Sequence, residues 1–174
     1  MDSQKSFDNN LTNVSYWDKF YESRTDISVI ETHGFRNRPN RIIANLIEKL
    51  GLENKKILEI GAGDSAWLSY FARKYPNSYF VGMDYSEEGC KRLSKRLVLE
   101  NISNVDVCCK DMFSDEKELN NFFDVVLSFG LVEHFSDLSY VLNAKKKFVK
   151  KNGYLFTIIP NMAGLIGFLT KKWD

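Results

Sequence analysis

The chain has 174 residues, 44% hydrophobic and 27% charged, with a formal net charge of +1. That length suits one domain with a sizeable core, and the composition excludes fibrous and disulfide-stapled classes. So small a charge gives no global field for nucleic acid or an anionic membrane, and no run approaches the roughly 20 apolar residues of a membrane span. Cys90, Cys108 and Cys109 show no metal-ligand spacing and read as reduced thiols of a cytoplasmic protein, with Cys108 and Cys109 on opposite faces of a strand. The opening MDSQKSFDNN is polar, so no signal peptide is expected.

In residues 14–22, Tyr16, Trp17, Phe20 and Tyr21 recur at helical spacing. This helix either folds over a ligand or simply packs on the domain. Residues 24–38 show no period and contain His33. Residues 38–50 read as a helix with Pro39 in its first turn, a stripe of Ile42, Ile43, Leu46, Ile47 and Leu50, and a stop at Gly51. The apolar run at 56–60 is a buried strand. It ends in Gly61-Ala62-Gly63-Asp64-Ser65, and a helix over 66–75 follows, with Trp67, Leu68 and Phe71 inward and Pro76 as its end. Strand, glycine turn and helix in succession form the nucleoside- or phosphate-cradling entrance of a doubly wound α/β fold.

The second strand, 79–83, ends at Asp84. An acid at this distance from the glycines is placed to accept ribose hydroxyls; the alternative is a helix cap, although Ser86 already supplies one. A helix over 87–100 carries Cys90, Leu93 and Leu97 and stops at Asn101. Strand three is 105–109, followed by Lys110-Asp111-Met112-Phe113. Strand four, 123–129, leads into Gly130-Leu131-Val132-Glu133-His134. Ser136 opens a helix with Leu138, Val141, Leu142, Phe148 and Val149 as its buried face. The flanking Lys145, Lys146, Lys147, Lys150 and Lys151 read as a solvated face, with an RNA or lipid contact as the alternative. Asn152-Gly153 turns the chain into strand five, 154–159. The expected organisation is an N-terminal cap over 1–36, a core over 37–160, and the start of a lid or extension over 161–174.

The segment Glu59-Ile60-Gly61-Ala62-Gly63-Asp64-Ser65 resembles the first motif, E-x-G-x-G-x-[GS], of class I S-adenosylmethionine-dependent methyltransferases. Gly61-x-Gly63-x-x-Ala66 also fits the dinucleotide fingerprint. The stretch from Asp124-Val125-Val126 to Glu133-His134 resembles a methyltransferase signature that dinucleotide dehydrogenases lack, and Ile159-Pro160-Asn161 resembles the I/V-P-N of some members. The resemblance covers residues 14–165. It implies a Rossmann-like, doubly wound, mainly parallel sheet flanked by helices and S-adenosylmethionine as cofactor. The implied cofactor set is Glu59 at the methionine end, the Gly61, Ala62 and Gly63 backbone, Asp84 and Tyr85 at the ribose, Asp111 and Met112 at the adenine, and Ser128 and Phe129 near the transferable methyl. Two departures stand out. The class I core has seven strands, whereas this sequence shows five, as in a fragment or a shortened member. Some relatives hold a metal with E-x-x-E-H, but Gly130 replaces the first Glu, so no metal site is expected.

Methyl transfer from a sulfonium needs alignment and a dry pocket more than a protein nucleophile. Tyr16, Tyr21 and Phe129 are candidates to face the positive sulfur. His134 suits a general base for a hydroxyl acceptor, with Glu133 beside it; the plainer reading satisfies both within their loop. The expected reaction is methylation of a small-molecule oxygen, with nitrogen, carbon and RNA open as acceptors. The rivals are an NAD-linked oxidoreductase domain and a non-catalytic methyltransferase-like binding module.

Overall fold

The computed structural model describes residues 10–115 and 117–160. The expected lid segment, 161–174, and the first nine residues of the expected cap lie outside them. Strands β1 (Lys56–Ile60), β2 (Tyr79–Asp84), β3 (Val105–Cys109), β4 (Phe123–Phe129) and β5 (Val149–Ile158) form one sheet in the order β3-β2-β1-β4-β5, with every pair parallel. The helices are α1 (Val14–Ser23), α2 (Arg38–Glu48), α3 (Ala66–Lys74), α4 (Glu87–Leu99) and α5 (Leu138–Lys146). No helix among the described residues is long and apolar enough to cross a membrane.

The central strand β1 is covered on both faces, which explains why it is apolar at Ile57 as well as at Leu58 and Ile60. Ile57 packs with Leu68, Phe71, Leu93 and Leu97 of α3 and α4. Leu58 and Ile60 point the other way, toward Met83, Val141 and Phe148. Ser65, Ser86 and Asp137 cap α3, α4 and α5 by accepting the amides of Leu68, Gly89 and Tyr140, each at 3.0 Å. From β1 the chain winds one way to β2 and β3, then returns to the other side of β1 for β4 and β5. The crevice between β1 and β4, outside the strands' carboxyl ends, is therefore where such a fold takes a ligand.

Several expectations need correction in the last third of the chain. Helix α5 begins at Leu138 with Asp137 as its cap, not at Ser136, and it ends at Lys146. Phe148 and Val149 thus lie beyond the helix, and Leu138 is exposed. Strand β5 begins at Val149 rather than after Asn152-Gly153. Phe123 pairs with Val149 but Val125 pairs with Tyr154, so β5 carries extra residues that bulge out of the ladder. Asn152, at φ 66°, supplies the left-handed turn inside that bulge. The lysine run is not one solvated face either. Lys145 is fully buried, and its Nζ donates to Ser128 Oγ and Thr157 Oγ1, both at 2.5 Å. Burial among neutral partners lowers its pKa to about 8. Lys150 pairs with Asp124 at 3.0 Å.

Candidate functional site

A cavity of about 230 Å³ opens beyond the carboxyl ends of β1, β2 and β4. Ile60 and Gly61 form its floor; Met83, Asp84 and Tyr85 form one wall. The loop after β3 adds Asp111 and Met112, and the segment after β4 adds Leu131 and His134 beside Phe129. The volume is just below the roughly 300 Å³ at which ligand clefts usually begin. Trp17 and Tyr21 of α1, which also line the cavity, take up part of the cleft. Helix α1 thus lies over the cleft rather than elsewhere on the domain.

Asp84 ties the turn together. Its Oδ2 accepts the Gly63 amide at 2.7 Å and its Oδ1 accepts the Ser86 amide at 2.9 Å. A carboxylate has about four acceptor directions, more than these amides use, and the residue borders the cavity. Burial raises its pKa to about 6, against the lowering pull of the Ser86, Gly63 and Tyr85 amides. The amides of Gly61 and Ala62 both donate to the Met83 carbonyl, at 2.8 and 3.0 Å. The glycine turn is therefore laced to the end of β2 by backbone and carboxylate together.

Gly63 has φ +36°, and a Cβ there would fall 1.8 Å from the Tyr21 hydroxyl. Gly89, in the first turn of α4, would set a Cβ 2.8 Å from Tyr21 Cε2. The Tyr21 ring is wedged between the glycine turn and α4, so both glycines are required by the overlying helix as well as by the turn. Burial first, then the carboxylates of Asp84, Asp64 and Glu59, push the Tyr21 phenol upward. Glu59 accepts from Ser65 Oγ at 2.9 Å, and burial raises its carboxyl to about 8.

Glu59, Ala62, Gly63 and Ser128 do not border the cavity; they stand behind it. Ser128 instead meets Lys145 on the α5 side of the sheet. Gly61, Asp84, Tyr85, Asp111, Met112 and Phe129 do border it. Asp111 is exposed and accepts the Phe113 amide at 2.9 Å. Phe129 stacks on Trp67 with ring centroids 5.4 Å apart. His134 borders the cavity and meets the Trp17 ring edge-on at 4.8 Å, whereas Glu133 is exposed outside it. Tyr16 is exposed and His33 is absent from the lining.

Two features lie within the expected N-terminal cap, 1–36, in forms that the sequence did not specify. Residues 10–13 cross the cavity mouth. Leu11 N donates to the His134 carbonyl at 2.8 Å, Asn10 bridges to Phe135, and Trp17 Nε1 donates to Thr12 Oγ1 at 3.0 Å. Asn10 and Thr12 line the cavity together with Tyr85. Below α1, residues 24–28 form an extended strap. Arg92 donates to the carbonyls of Arg24 and Asp26 at 2.6 and 2.8 Å, and Arg96 to that of Ser28 at 2.7 Å. Both arginines also pair with Asp64, each at 2.8 Å, and the Asp64 side chain is 3% exposed. Asp64 follows Gly63, so the strap, helix α1 and the glycine turn share one anchor. The aromatic cluster of α1 was a visible signal for a helix over the cleft; the strap left none.

The site therefore offers an apolar bed, two carboxylates near strand ends to accept hydroxyl or amino protons, aromatic faces, and one imidazole. These residues suit an adenosine-bearing ligand with a positive centre.

A family model described as a methyltransferase domain matches residues 52–173. The ubiquinone biosynthesis O-methyltransferase of Pelagibacter ubique is 31% identical over 112 residues, which is 63% of this chain and 44% of that protein. A tRNA (guanine-N(7)-)-methyltransferase of Magnetococcus marinus is 30% identical over 120 residues, 67% of this chain and 46% of that protein. Among solved structures, coclaurine N-methyltransferase bound to N-methylheliamine and SAH superposes with a TM-score of 0.62 at 22% identity, over 73% of this chain and 38% of that one. At that identity the likeness shows the fold. The chain spans less than half the length of these relatives.

Proposed function

Because the chain belongs to the S-adenosylmethionine-dependent methyltransferase family, we propose that its cavity binds S-adenosylmethionine and serves methyl transfer to an oxygen of a small-molecule acceptor. The observation that carries the reading is Asp84, a buried carboxylate that staples the glycine turn and still borders the cavity. Asp84 would accept the ribose hydroxyls, with Tyr85 beside it. Asp111 would accept the adenine amino protons, over the buried Met112. Gly61 offers backbone at the floor.

The bound cofactor supplies a methyl group on a sulfonium, open to in-line displacement. The chain's own part is to align and to exclude water. Phe129, held flat on Trp67, and Tyr21 present aromatic faces to a positive centre. Residues 10–13 and Trp17 cover the mouth. His134, oriented by the edge of Trp17, takes the acceptor hydroxyl's proton as general base. The names of the relatives span oxygen acceptors, nitrogen acceptors and tRNA; the small apolar cavity and the net charge of +1 favour a small molecule over RNA.

A thermal-shift comparison tests the cofactor assignment. S-adenosylhomocysteine should raise the melting temperature and NADH should not. The reverse result would move the chain to the nicotinamide rival. Once an acceptor is found, His134→Ala should slow turnover about a hundredfold, within the range of a lost general base; unchanged turnover would remove His134 from that role.

A further inference from the structure

We infer that Cys90 and Cys109 form a reversible disulfide pair that grips the Asp84 loop and is oxidised by small-molecule disulfides of the glutathione class. Cys90 lies in the first turn of α4 and is buried; Cys109 ends β3 and is exposed. Cys109 is the sheet partner of Asp84. The two thiols flank the same loop. Cys90 Sγ donates to the Asp84 carbonyl at 3.4 Å, and Cys109 Sγ to the Ser86 carbonyl at 3.8 Å. The Ser86 carbonyl that faces Cys109 also accepts the Cys90 amide at 3.0 Å, so the two residues meet at one carbonyl. Cys108 points to the opposite face of the sheet, where it packs near Met83 and Met112. The strand's alternation thus selects Cys109 as the partner of Cys90.

Their exposures assign the order of events. The exposed Cys109 thiolate attacks one sulfur of the oxidant, and the other sulfur leaves as a thiolate. The Cys90 thiolate then attacks the Cys109 sulfur and expels the second thiolate. Two protein thiols lose two electrons and two protons, and one oxidant disulfide becomes two thiols. Burial, then the neighbouring Cys109 thiol, pushes the Cys90 pKa up. The second step is therefore slow near neutrality and gains about tenfold in rate per pH unit while Cys90 stays protonated.

Closing the sulfurs to about 2.05 Å draws the first turn of α4 toward the end of β3. The Asp84 and Ser86 carbonyls that face these thiols belong to the loop that carries the Asp84 side chain, so drawing the thiols together moves the loop that holds the group assigned to the ribose. This effect on binding rests on the proposed cofactor site; the bond itself does not.

The test treats the reduced chain with oxidised glutathione at pH 8.5, blocks remaining thiols, and maps peptides without reduction. The expected product has lost two hydrogens and links the Cys90 and Cys109 peptides. It forms in Cys108→Ser and not in Cys109→Ser. Glutathione retained on Cys109, or a link through Cys108, would overturn the pairing. Calorimetry with S-adenosylhomocysteine should then show about tenfold weaker affinity in the oxidised chain, restored by dithiothreitol. A mapped Cys90–Cys109 bond with unchanged affinity would overturn its grip on Asp84. Absence of binding by the reduced, folded chain would instead strike the cofactor assignment, and the peptide map alone would then decide the pairing.

Discussion

Substituting alanine at Gly63 probes how helix α1 meets the glycine turn. Two effects add. The backbone at φ +36° is left-handed, where a side chain costs about 1 kcal/mol. The new Cβ also falls 1.8 Å from the Tyr21 hydroxyl and 2.3 Å from Cζ, so the ring must leave its slot. Losing the burial of an aromatic side chain costs about 2 kcal/mol. Gly63→Ala should therefore destabilise the chain by about 3 kcal/mol in urea unfolding. With Tyr21→Ala already made, the second effect has gone and the same change should cost about 1 kcal/mol, a coupling of about 2 kcal/mol. Tyr21→Phe should give no such relief, because Cζ and Cε1 still collide with the new methyl. A coupling below about 0.5 kcal/mol between Gly63→Ala and Tyr21→Ala would refute the claim that the ring occupies this slot.

Three further outcomes follow from the buried charges. Glu59 and Asp84 have folded pKa values raised by burial to about 8 and about 6, so the folded state holds more protons than the unfolded one. Their contribution is complete below pH 4 and is lost as pH rises toward 8; thermal melts should show Glu59→Gln flattening that decline, and an unchanged slope would contradict it. Lys145 is lowered to about 8, so its contribution improves as pH rises from 8 toward 10. Lys145→Met should be neutral or stabilising at pH 7 and abolish that gain, whereas a loss above about 2 kcal/mol at pH 7 would show that the amine itself stabilises the fold. Asp64→Ala leaves Arg92 with no carboxylate and Arg96 with Glu100 alone, and should destabilise by about 3 kcal/mol, with limited proteolysis opening first at Arg24; cutting elsewhere first would separate the strap from this anchor.

The sheet was legible in the sequence because its signals are local. Ile57, Leu58 and Ile60 form an apolar run that only Glu59 interrupts; Ser65 and Ser86 cap the next helices, and Pro76 and Asn101 end them. The position of Asp84 followed from its distance to Gly63. What escaped the sequence depends on contacts between distant residues. The strap at 24–28 is held by guanidinium groups on backbone carbonyls, which leaves no side-chain period to read. Lys145 looks like its neighbours until Ser128 and Thr157, across the sheet, are seen to receive it. Asn152-Gly153 has turn chemistry, and the structure uses it for a bulge within β5. The glycine at position 63 was legible as a tight turn, but not as the seat of the Tyr21 ring.

The central claim is that the cavity beyond β1, β2 and β4 takes an S-adenosyl nucleoside through Asp84. Calorimetric titration with S-adenosylhomocysteine, on the wild-type chain and on Asp84→Ala, tests it most directly. The substitution removes a charged acceptor from two hydroxyls, at about 1.5 kcal/mol or more for each hydrogen bond. One site should bind in the wild type and weaken at least about a hundredfold in the variant, with circular dichroism confirming that both are folded. No binding by the folded wild-type chain, or affinities within about threefold of each other, would contradict the account.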